Sequence, residues 1–237
     1  MKVSVILPAY NEEKRILKTL DTIYSYMEAT FSDYEIIVVD DGSKDRTYQI
    51  LQEYGRDRLV PYTYQPNRGK GGAVTYGMTK ATGDIVIFTD ADLPYPVENI
   101  GRAVQQFEET DCDLLLGKRR QTKNGQKYPW YRTLMSKCFS IVVNLILGLH
   151  VADTQCGFKC FRKAAAKQIF SKATLTGWGF DVEVIFIAKK KHLKIGRIEV
   201  ELFHENEDSK INAASDAVTM FREVLQVRKN NKEGRYQ

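Results

Sequence analysis

The sequence predicts an α/β fold in which a mostly parallel β-sheet is flanked by helices. Short apolar runs alternate with helical patterns through the first half of the chain, which is typical of a parallel sheet. The 237 residues can bury one full core, and we find no repeat or linker that divides them. We therefore predict a single domain over residues 1–237, with a regular first half, 1–117, and a less regular second half, 118–237.

Five strands are predicted in the first half because each is a short apolar run bounded by polar or turn residues. They cover 3–7, 35–39, 60–64, 84–88 and 113–117. Helical spacing of the apolar residues between them predicts four helices, which end near residues 27, 54, 78 and 109. Asn11 and Ser43 are of residue types that cap helices, and we predict that they cap the first two.

The second half contains longer helical patterns and fewer strands. In chain order we predict a basic loop at 118–127, an apolar helix at 129–149, a turn at 153–157, a strand at 158–161, a helix after Arg162, a helix at 181–191, a strand at 194–203 and an amphipathic helix at 213–229.

Composition and charge exclude several classes of protein. A hydrophobic content of 43% and a charged content of 27% are those of a globular chain rather than a disordered or fibrous one. Four cysteines are too few for a disulfide scaffold, so we expect reduced thiols in the cytosol. We interpret the first residues as a strand rather than a signal peptide, and the longest apolar stretch, 138–152, is shorter than the roughly 18 residues that a membrane span needs. The net charge of +5 suits an anionic partner without identifying it.

Four aspartates follow predicted strands: Asp40 and Asp41 come after the second, and Asp90 and Asp92 after the fourth. Ligands of open α/β sheets bind at the carboxyl ends of the strands, so we expect these carboxylates to act together. An Asp-x-Asp pair alone is as often a solvated turn as it is a metal site. At this edge of the sheet, Asp90 and Asp92 are predicted to bind Mg²⁺ or Mn²⁺, which prefer oxygen ligands and share phosphate oxygens.

A glycine-rich stretch, 69–72, precedes the third predicted helix and contains Lys70. Glycines let a backbone approach a phosphate, and the amides at a helix N-terminus favour anions. The spacing is not that of a P-loop or of a dinucleotide fingerprint. A simple turn would explain the glycines but not the lysine among them, so we predict a loop that contacts a nucleotide.

Several motifs together resemble family 2 glycosyltransferases with the GT-A fold: Pro8-Ala9-Tyr10-Asn11-Glu12, Val39-Asp40-Asp41-Gly42-Ser43, Gly69-Lys70-Gly71-Gly72-Ala73 and Asp90-Ala91-Asp92. Within the family, motifs of the second half are similar to the dolichyl-phosphate β-glucosyltransferase branch of the polyisoprenyl-phosphate glycosyltransferases. These are Asp153-Thr154-Gln155-Cys156-Gly157-Phe158-Lys159, Trp178-Gly179-Phe180-Asp181-Val182-Glu183 and Ser209-Lys210-Ile211. The resemblance covers nearly the whole chain.

The resemblance implies inverting transfer of a hexose, with glucose favoured, from a nucleoside-diphosphate sugar, with UDP favoured, to an undecaprenyl or dolichyl phosphate. Residues 1–117 would bind the sugar nucleotide, and 118–237 would face the acceptor and the membrane. The residues implied to bind the sugar nucleotide are Pro8, Ala9, Tyr10, Glu12, Asp40, Asp41, Lys70, Asp90, Ala91, Asp92, Ser209 and Lys210. Those implied to bind the acceptor are Arg132, Lys137, Gln155, Asp181 and Glu183. Asp92, Arg132 and Asp153 are the catalytic candidates, and Asp90 and Asp92 the metal ligands.

Two departures from the related enzymes concern the metal and the sugar. Pro94 stands where related mannosyltransferases often place a metal-binding Gln, and Phe203-His204-Glu205 stands where the branch tends to carry Trp-x-Glu. Three other functions stay open: a GT-A transferase that acts on a carbohydrate or protein hydroxyl, a sugar-1-phosphate nucleotidylyltransferase and a non-catalytic membrane-associated module.

The need for a base depends on the acceptor. A hydroxyl acceptor needs a carboxylate to deprotonate it, whereas a phosphate acceptor is already an anion near neutral pH. Asp153 could be that base, could orient another group or could cap its own turn through the amides of Thr154 and Gln155. Asp181 and Glu183 could shape the acceptor or sugar pocket, or lie at a solvated helix start.

A lipid acceptor implies a membrane surface. The apolar helix at 129–149 could be interfacial or buried, and the resemblance favours the interface. The last helix pairs an apolar stripe with Arg222 and Arg228, which suits acidic headgroups. We expect a cytoplasmic protein, peripheral on the cytoplasmic face of the membrane, that binds no nucleic acid and could form a homo-oligomer or join a membrane-protein partner.

Overall fold

The computed structural model describes residues 1–120, 141–151, 153–202 and 213–237, with the backbone alone for 213–218. Seven strands form one sheet within these residues: β1 (Val3–Ala9), β2 (Tyr34–Asp40), β3 (Leu59–Thr63), β4 (Ile85–Phe88), β5 (Leu114–Arg120), β6 (Lys159–Arg162) and β7 (Ile195–Glu201). The order across the sheet is β3-β2-β1-β4-β6-β5-β7. All observed pairings are parallel except those of β6, which confirms the predicted mostly parallel α/β fold.

Seven labelled helices accompany the strands: α1 (Ile16–Thr30), α2 (Thr47–Tyr54), α3 (Lys70–Lys80), α4 (Asn99–Glu109), α5 (Lys163–Phe170), α6 (Phe180–Lys190) and α7 (Ala213–Lys232). Residues 141–147 are helical as well, and the rest of the predicted apolar helix, 129–140, lies outside the described residues. Among the helices whose placement is described, none combines the length and the apolar character needed to cross a bilayer.

The central strands are buried on both faces. Every residue of β2 is buried, and successive residues of β1 alternate between two cores. Val5 packs on one face with α1 and α4, and Ile6 packs on the other with α3, α6 and α7. Covering both faces leaves the strand ends as the place where polar side chains of the central strands can reach a ligand.

The two predicted helix caps are wrong. Asn11 adopts a positive φ of 53°, its backbone N–H donates to Ser43 Oγ at 2.8 Å, and α1 begins only at Ile16. At the start of α2 the carboxylate of Asp45 accepts the Thr47 N–H, at 3.0 Å. Asn11 and Ser43 therefore join the β1–α1 loop to the β2–α2 loop instead of capping helices.

The second half of the chain completes the sheet of the first. β6 lies between β4 and β5 and runs antiparallel to both, so its first residue, Lys159, lies beside Phe88, the last residue of β4. The start of β6 thus meets the carboxyl ends of the parallel strands. β6, from the second half of the chain, therefore contributes directly to the edge where the four aspartates lie.

Candidate active site

The structure brings the four aspartates to one edge of the sheet. Asp40 is the last residue of β2 and pairs in register with Ala9, the last residue of β1, while Asp41 follows directly. Asp90 and Asp92 follow the end of β4, which lies on the other side of β1. The β1 end, with Pro8 and Ala9, therefore separates an acidic pair after β2 from an acidic pair after β4.

Asp40 and Asp41 are buried and bonded to neutral donors. Asp40 accepts the Ser43 N–H at 3.2 Å and the Thr63 hydroxyl at 2.7 Å. Asp41 accepts three bonds from the loop after β3: the Tyr64 hydroxyl and the Arg68 N–H at 2.8 Å, and the Asn67 side-chain amide at 2.9 Å. Asp41 thus holds that loop, and Asp40 joins the loop after β2 to the end of β3.

Tyr10 and Glu12 lie in the β1–α1 loop beside this pair. Glu12 accepts a bond from Arg15 Nε at 2.8 Å, and its own N–H donates to Thr47 Oγ1 at 2.8 Å. Both residues are half-buried. The loop is therefore fixed to α2 and leaves a partly accessible rim near the ends of β1 and β2.

The glycines before and within α3 make room for protein backbone. Gly69 has a φ of +86°, and a β-carbon there would lie 2.6 Å from the Thr176 carbonyl oxygen. A β-carbon on Gly71 would lie 2.6 Å from Phe180 Cβ, and the Gly72 N–H donates to the same Thr176 oxygen at 3.2 Å. The predicted glycine-rich loop therefore packs closely against the chain that precedes α6, which explains its glycines without a phosphate.

Lys70 has a different position from its glycine neighbours. Its ammonium forms an ion pair with Asp90 Oδ1 and lies 5.6 Å from the Trp178 ring centroid. Burial by itself would lower the pKa of Lys70, but the nearby carboxylates of Asp90, Asp181 and Asp92 raise it. Lys70 is therefore held as a cation at the acidic pair, where an anionic ligand would meet it.

The Asp90-Ala91-Asp92 turn is anchored to α1 and to the core. The Thr19 hydroxyl donates to the Ala91 carbonyl at 2.6 Å, and the Ala91 side chain is buried in the core with α1. Asp90 and Asp92 on either side of it are half-buried. Gly157 lies against this turn so closely that a β-carbon there would overlap Asp90 Oδ2. Ala91 therefore contributes by fixing the turn.

Asp153 is engaged with Arg119 at the end of β5. Arg119 Nε donates to Asp153 Oδ2 at 2.8 Å and Nη2 donates to Oδ1 at 3.0 Å, and the Gln155 N–H donates to Oδ1 at 3.2 Å. Burial would raise the pKa of Asp153, but the bonds and charge of Arg119 lower it overall. A carboxylate held this way is a weak base, so the geometry favours orientation and turn capping over deprotonation.

Gln155 contributes a second polar group to the same turn. Its Nε2 atom is buried, and no residue of the described part of the chain accepts a hydrogen bond from it. A buried amide donor normally has a partner. This atom is therefore suited to a ligand oxygen, consistent with the acceptor role that the resemblance implies.

Asp181 and Lys159 form a buried ion pair beside Lys70. Lys159 Nζ donates to Asp181 Oδ1 at 2.5 Å and to the Cys156 carbonyl at 2.7 Å, and neither side chain is more than 3% exposed. Burial raises the pKa of Asp181, although the Lys159 and Lys70 cations oppose this. The Asp181–Lys159 pair therefore lies directly behind the start of α3, where Lys70 is.

Glu183, predicted to bind the acceptor, has an internal role. Its Oε2 accepts the N–H groups of Thr174 and Leu175, and its Oε1 accepts the hydroxyls of Thr174 and Tyr236, all at 2.6–2.8 Å. The residue is fully buried. Because both oxygens bond to the protein, we interpret Glu183 as a support for the segment before α6 rather than as an acceptor ligand.

Three residues that surround this part of the site were not predicted as site residues. Lys159 is the first of them, and a lysine that opens an apolar strand is a signal that the sequence offers. Trp178 lies between Gly177 and Gly179, and the Gly179 N–H donates to Glu223 Oε2 of α7 at 2.7 Å. No local pattern marks Glu223, because its partner is 44 residues away. Four other predicted site residues lie outside the described residues: Arg132, Lys137, Ser209 and Lys210.

The residues present suit a hard divalent cation that takes most of its ligands from elsewhere. No group of three or more His, Cys, Asp or Glu side chains converges within the described ranges. Asp90 and Asp92 supply carboxylates, and Asp90 already binds one cation, the ammonium of Lys70. Two carboxylates with phosphate and water completing the shell fit Mg²⁺ or Mn²⁺.

An open sheet of this order, with acidic pairs after β2 and β4, defines an α/β protein of the class whose ligands bind at the carboxyl ends of the strands. Solved structures with this architecture are GT-A glycosyltransferases. Mannosyl-3-phosphoglycerate synthase from Rubrobacter xylanophilus superposes with a TM-score of 0.74 at 20% identity, over 99% of this chain and 75% of that one. Glucosyl-3-phosphoglycerate synthase from Mycobacterium tuberculosis, in complex with UDP, gives 0.71 at 21% identity, over 95% and 79%.

The chain belongs to glycosyl transferase family 2, whose model matches residues 4–170. Among curated relatives, the human dolichyl-phosphate beta-glucosyltransferase is 33% identical over 96% of this chain and 75% of its own length. The enzyme of the same name from Saccharomyces cerevisiae is 34% identical over 95% and 74%. These similarities confirm the predicted family and branch resemblance, and they show that the protein is a glycosyltransferase.

Proposed function

We propose that this protein transfers glucose, with inversion, from UDP-glucose to a polyprenyl phosphate at a membrane surface. Relatives at 33% and 34% identity are named for transfer to dolichyl phosphate. The observation that carries the proposal is the ion pair of Lys70 with Asp90 at the carboxyl end of β4, beside Asp92. A cation and two carboxylates at this edge of the sheet support a binding position there for the diphosphate of a sugar nucleotide.

The donor would lie across the ends of β1, β2 and β4. Asp40 and the half-buried Tyr10 would meet the nucleoside, and Lys70 would contact the diphosphate. Asp90 and Asp92 would hold Mg²⁺ or Mn²⁺, and such an ion, when bound, offsets negative charge on the departing diphosphate. A solved M. tuberculosis synthase of the same fold, described with Mn²⁺ and UDP-glucose, is consistent with this arrangement.

Transfer would not require a protein base. The acceptor phosphate oxygen attacks the anomeric carbon from the face opposite the leaving group, the bond to the diphosphate oxygen breaks, and UDP leaves with that electron pair. The acceptor carries no proton that must be removed first, in keeping with the pairing of Asp153 to Arg119. The protein's contribution is then positioning and relief of charge repulsion between two phosphates, with Arg132 and Lys137 as proposed acceptor contacts.

A membrane surface is supported by apolar side chains on the outside of the second half. Leu145 is 81% and Ile141 58% exposed, while Val143 between them is buried in the core. On α7, Phe221 and Leu225 are exposed, and Arg222 lies beside them. Apolar residues with a neighbouring cation suit the headgroup region of an anionic bilayer.

The test is incubation of the full chain with a panel of UDP- and GDP-sugars, Mn²⁺ or Mg²⁺, and a short-chain polyprenyl phosphate. We expect a glucosyl lipid and free UDP, detected by mass spectrometry. Release of pyrophosphate would instead identify a nucleotidylyltransferase. Transfer to a hydroxyl acceptor, with none to the lipid phosphate, would overturn the proposal.

A further inference from the structure

A buried lysine, Lys159, lies next to the acidic edge of the sheet but is too buried to contact a donor bound at that edge. Lys159 opens β6, and its side chain is 1% exposed. Its ammonium is accepted by Asp181 Oδ1 and by the Cys156 carbonyl oxygen. An ammonium so deep in the protein is costly unless it is paired, so the pair must persist as a unit for the fold to tolerate it.

Asp181 bonds to Lys159 and lies near a second ammonium, that of Lys70, whose own ion pair is with Asp90. The starts of α3 and α6 bring the two together, because a β-carbon on Gly71 would lie 2.6 Å from Phe180 Cβ. The group as a whole contains two cations, Lys70 and Lys159, and three carboxylates, those of Asp90, Asp92 and Asp181. Asp90 and Asp181 therefore compete for the ammonium of Lys70.

Lys159 sets the outcome of this competition because it already pairs with Asp181. The Asp181 side chain is 3% exposed, against 26% for Asp90, so Asp181 has the greater need of a counter-charge. With Lys159 in place this need is met, and Lys70 can pair with the more accessible carboxylate. Without Lys159, Lys70 would be the cation left beside Asp181 among the described residues, and it would turn inward.

We propose that Lys159 is a positioning residue: by neutralising Asp181 it keeps Lys70 at Asp90, at the accessible end of the site where the donor diphosphate binds. This inference rests on the proposed function, since it assumes a diphosphate donor. It assigns no contact with substrate to Lys159. The role acts through Lys70 and its ion pair with Asp90.

The test is isothermal titration calorimetry of the full chain, first with UDP and then with Mn²⁺ alone. We expect Lys159→Met to weaken UDP binding roughly tenfold or more, the effect of losing one hydrogen bond to a charged group. Mn²⁺ binding should not weaken, because Asp90 loses a competing cation. The matched control is Lys163→Met, which removes an exposed lysine beyond the other end of β6 and should leave both affinities unchanged.

A second variant separates positioning from simple support of the fold. In Lys159→Met/Asp181→Asn both buried charges are absent, so Lys70 keeps Asp90 as its partner, and UDP affinity should return close to the wild-type value. Circular dichroism verifies folding. If Lys159→Met does not fold, Lys159→Gln is titrated in its place, because glutamine lacks the charge but can donate to the Cys156 carbonyl oxygen. A tenfold loss of UDP affinity or more then supports the proposal, and unchanged affinity overturns it.

Two other results would also overturn the inference. A folded Lys159→Met variant with unchanged UDP binding contradicts it, as does one that loses UDP and Mn²⁺ affinity in parallel. If the wild-type chain binds no uridine or guanosine diphosphate at all, the proposed function fails as well. The two failures are therefore distinguished by the wild-type titration.

Discussion

The acidic pairs at the two sides of β1 are alike in sequence and unlike in structure. After β2, Asp40 and Asp41 are bonded to hydroxyls, an amide and backbone N–H groups. After β4, Asp90 is bonded to the ammonium of Lys70. Neutral donors fix the shape of a loop, whereas an ammonium can be shared with or replaced by another ion. The β2 side therefore sets the shape of the site, and the β4 side binds and exchanges charged groups.

The largest effect is expected on the β4 side, from Asp92→Asn. Loss of a carboxylate that holds a divalent ion should lower kcat/KM by roughly 100- to 1,000-fold, the range for removing one group that stabilises developing charge. Steady-state kinetics with Mn²⁺ titration checks this. Asp113→Asn, at the opposite edge of the sheet before β5, is the control. If Asp92→Asn were as active as the wild type, the acidic pair after β4 would not be the part of the site that stabilises developing charge.

Lys70→Met should have the next largest effect. The variant loses the cation proposed to contact the diphosphate, so UDP affinity should fall roughly 10- to 100-fold while Mn²⁺ affinity is retained. Calorimetry measures both. Lys80→Met removes an exposed lysine at the other end of the same helix and should change neither. Parallel loss in both lysine variants would indicate damage to α3 instead of a local role.

Asp41→Asn tests the shape-setting side. An amide in place of the carboxylate puts an N–H where Asp41 accepts the Tyr64 hydroxyl, the Arg68 N–H or the Asn67 amide. We expect a loss of about 1–3 kcal/mol in the free energy of unfolding, the cost of an unsatisfied buried group. Urea denaturation followed by circular dichroism measures it. Unchanged stability together with lost UDP binding would make Asp41 a ligand and end the contrast between the two sides.

The smallest effect on activity is expected from Asp153→Asn, because no base is needed for a phosphate acceptor. A large loss would favour the hydroxyl-acceptor alternative. Arg119 holds the pKa of Asp153 below its ordinary value, so this pair stabilises the fold above the unfolded pKa of about 3.9. That stability is lost as pH falls from there through the lower folded pKa. Thermal unfolding of Asp153→Asn should lack this part of the acid dependence.

The strands and their polar ends could be predicted because the signals are local. Each buried strand is an apolar run, and an aspartate at its end needs no long-range information to be noticed. The two wrong helix caps have a different origin. Asn11 and Ser43 are capping residue types, but they bond to each other across two loops. The internal contacts of Glu183 also depend on distant segments, since it accepts a hydroxyl 53 residues away, which no spacing rule in the sequence could have shown.

The sequence by itself therefore determined the fold class, the edge of the sheet where ligands bind and the acidic residues found there. Apolar periodicity and residue type are properties of short segments, and these conclusions need nothing more. Only the tertiary structure decided which carboxylate pairs with which cation. Lys159, Asp181, Lys70 and Asp90 are distant along the chain, and a buried charge takes its partner from whichever segments the fold packs around it.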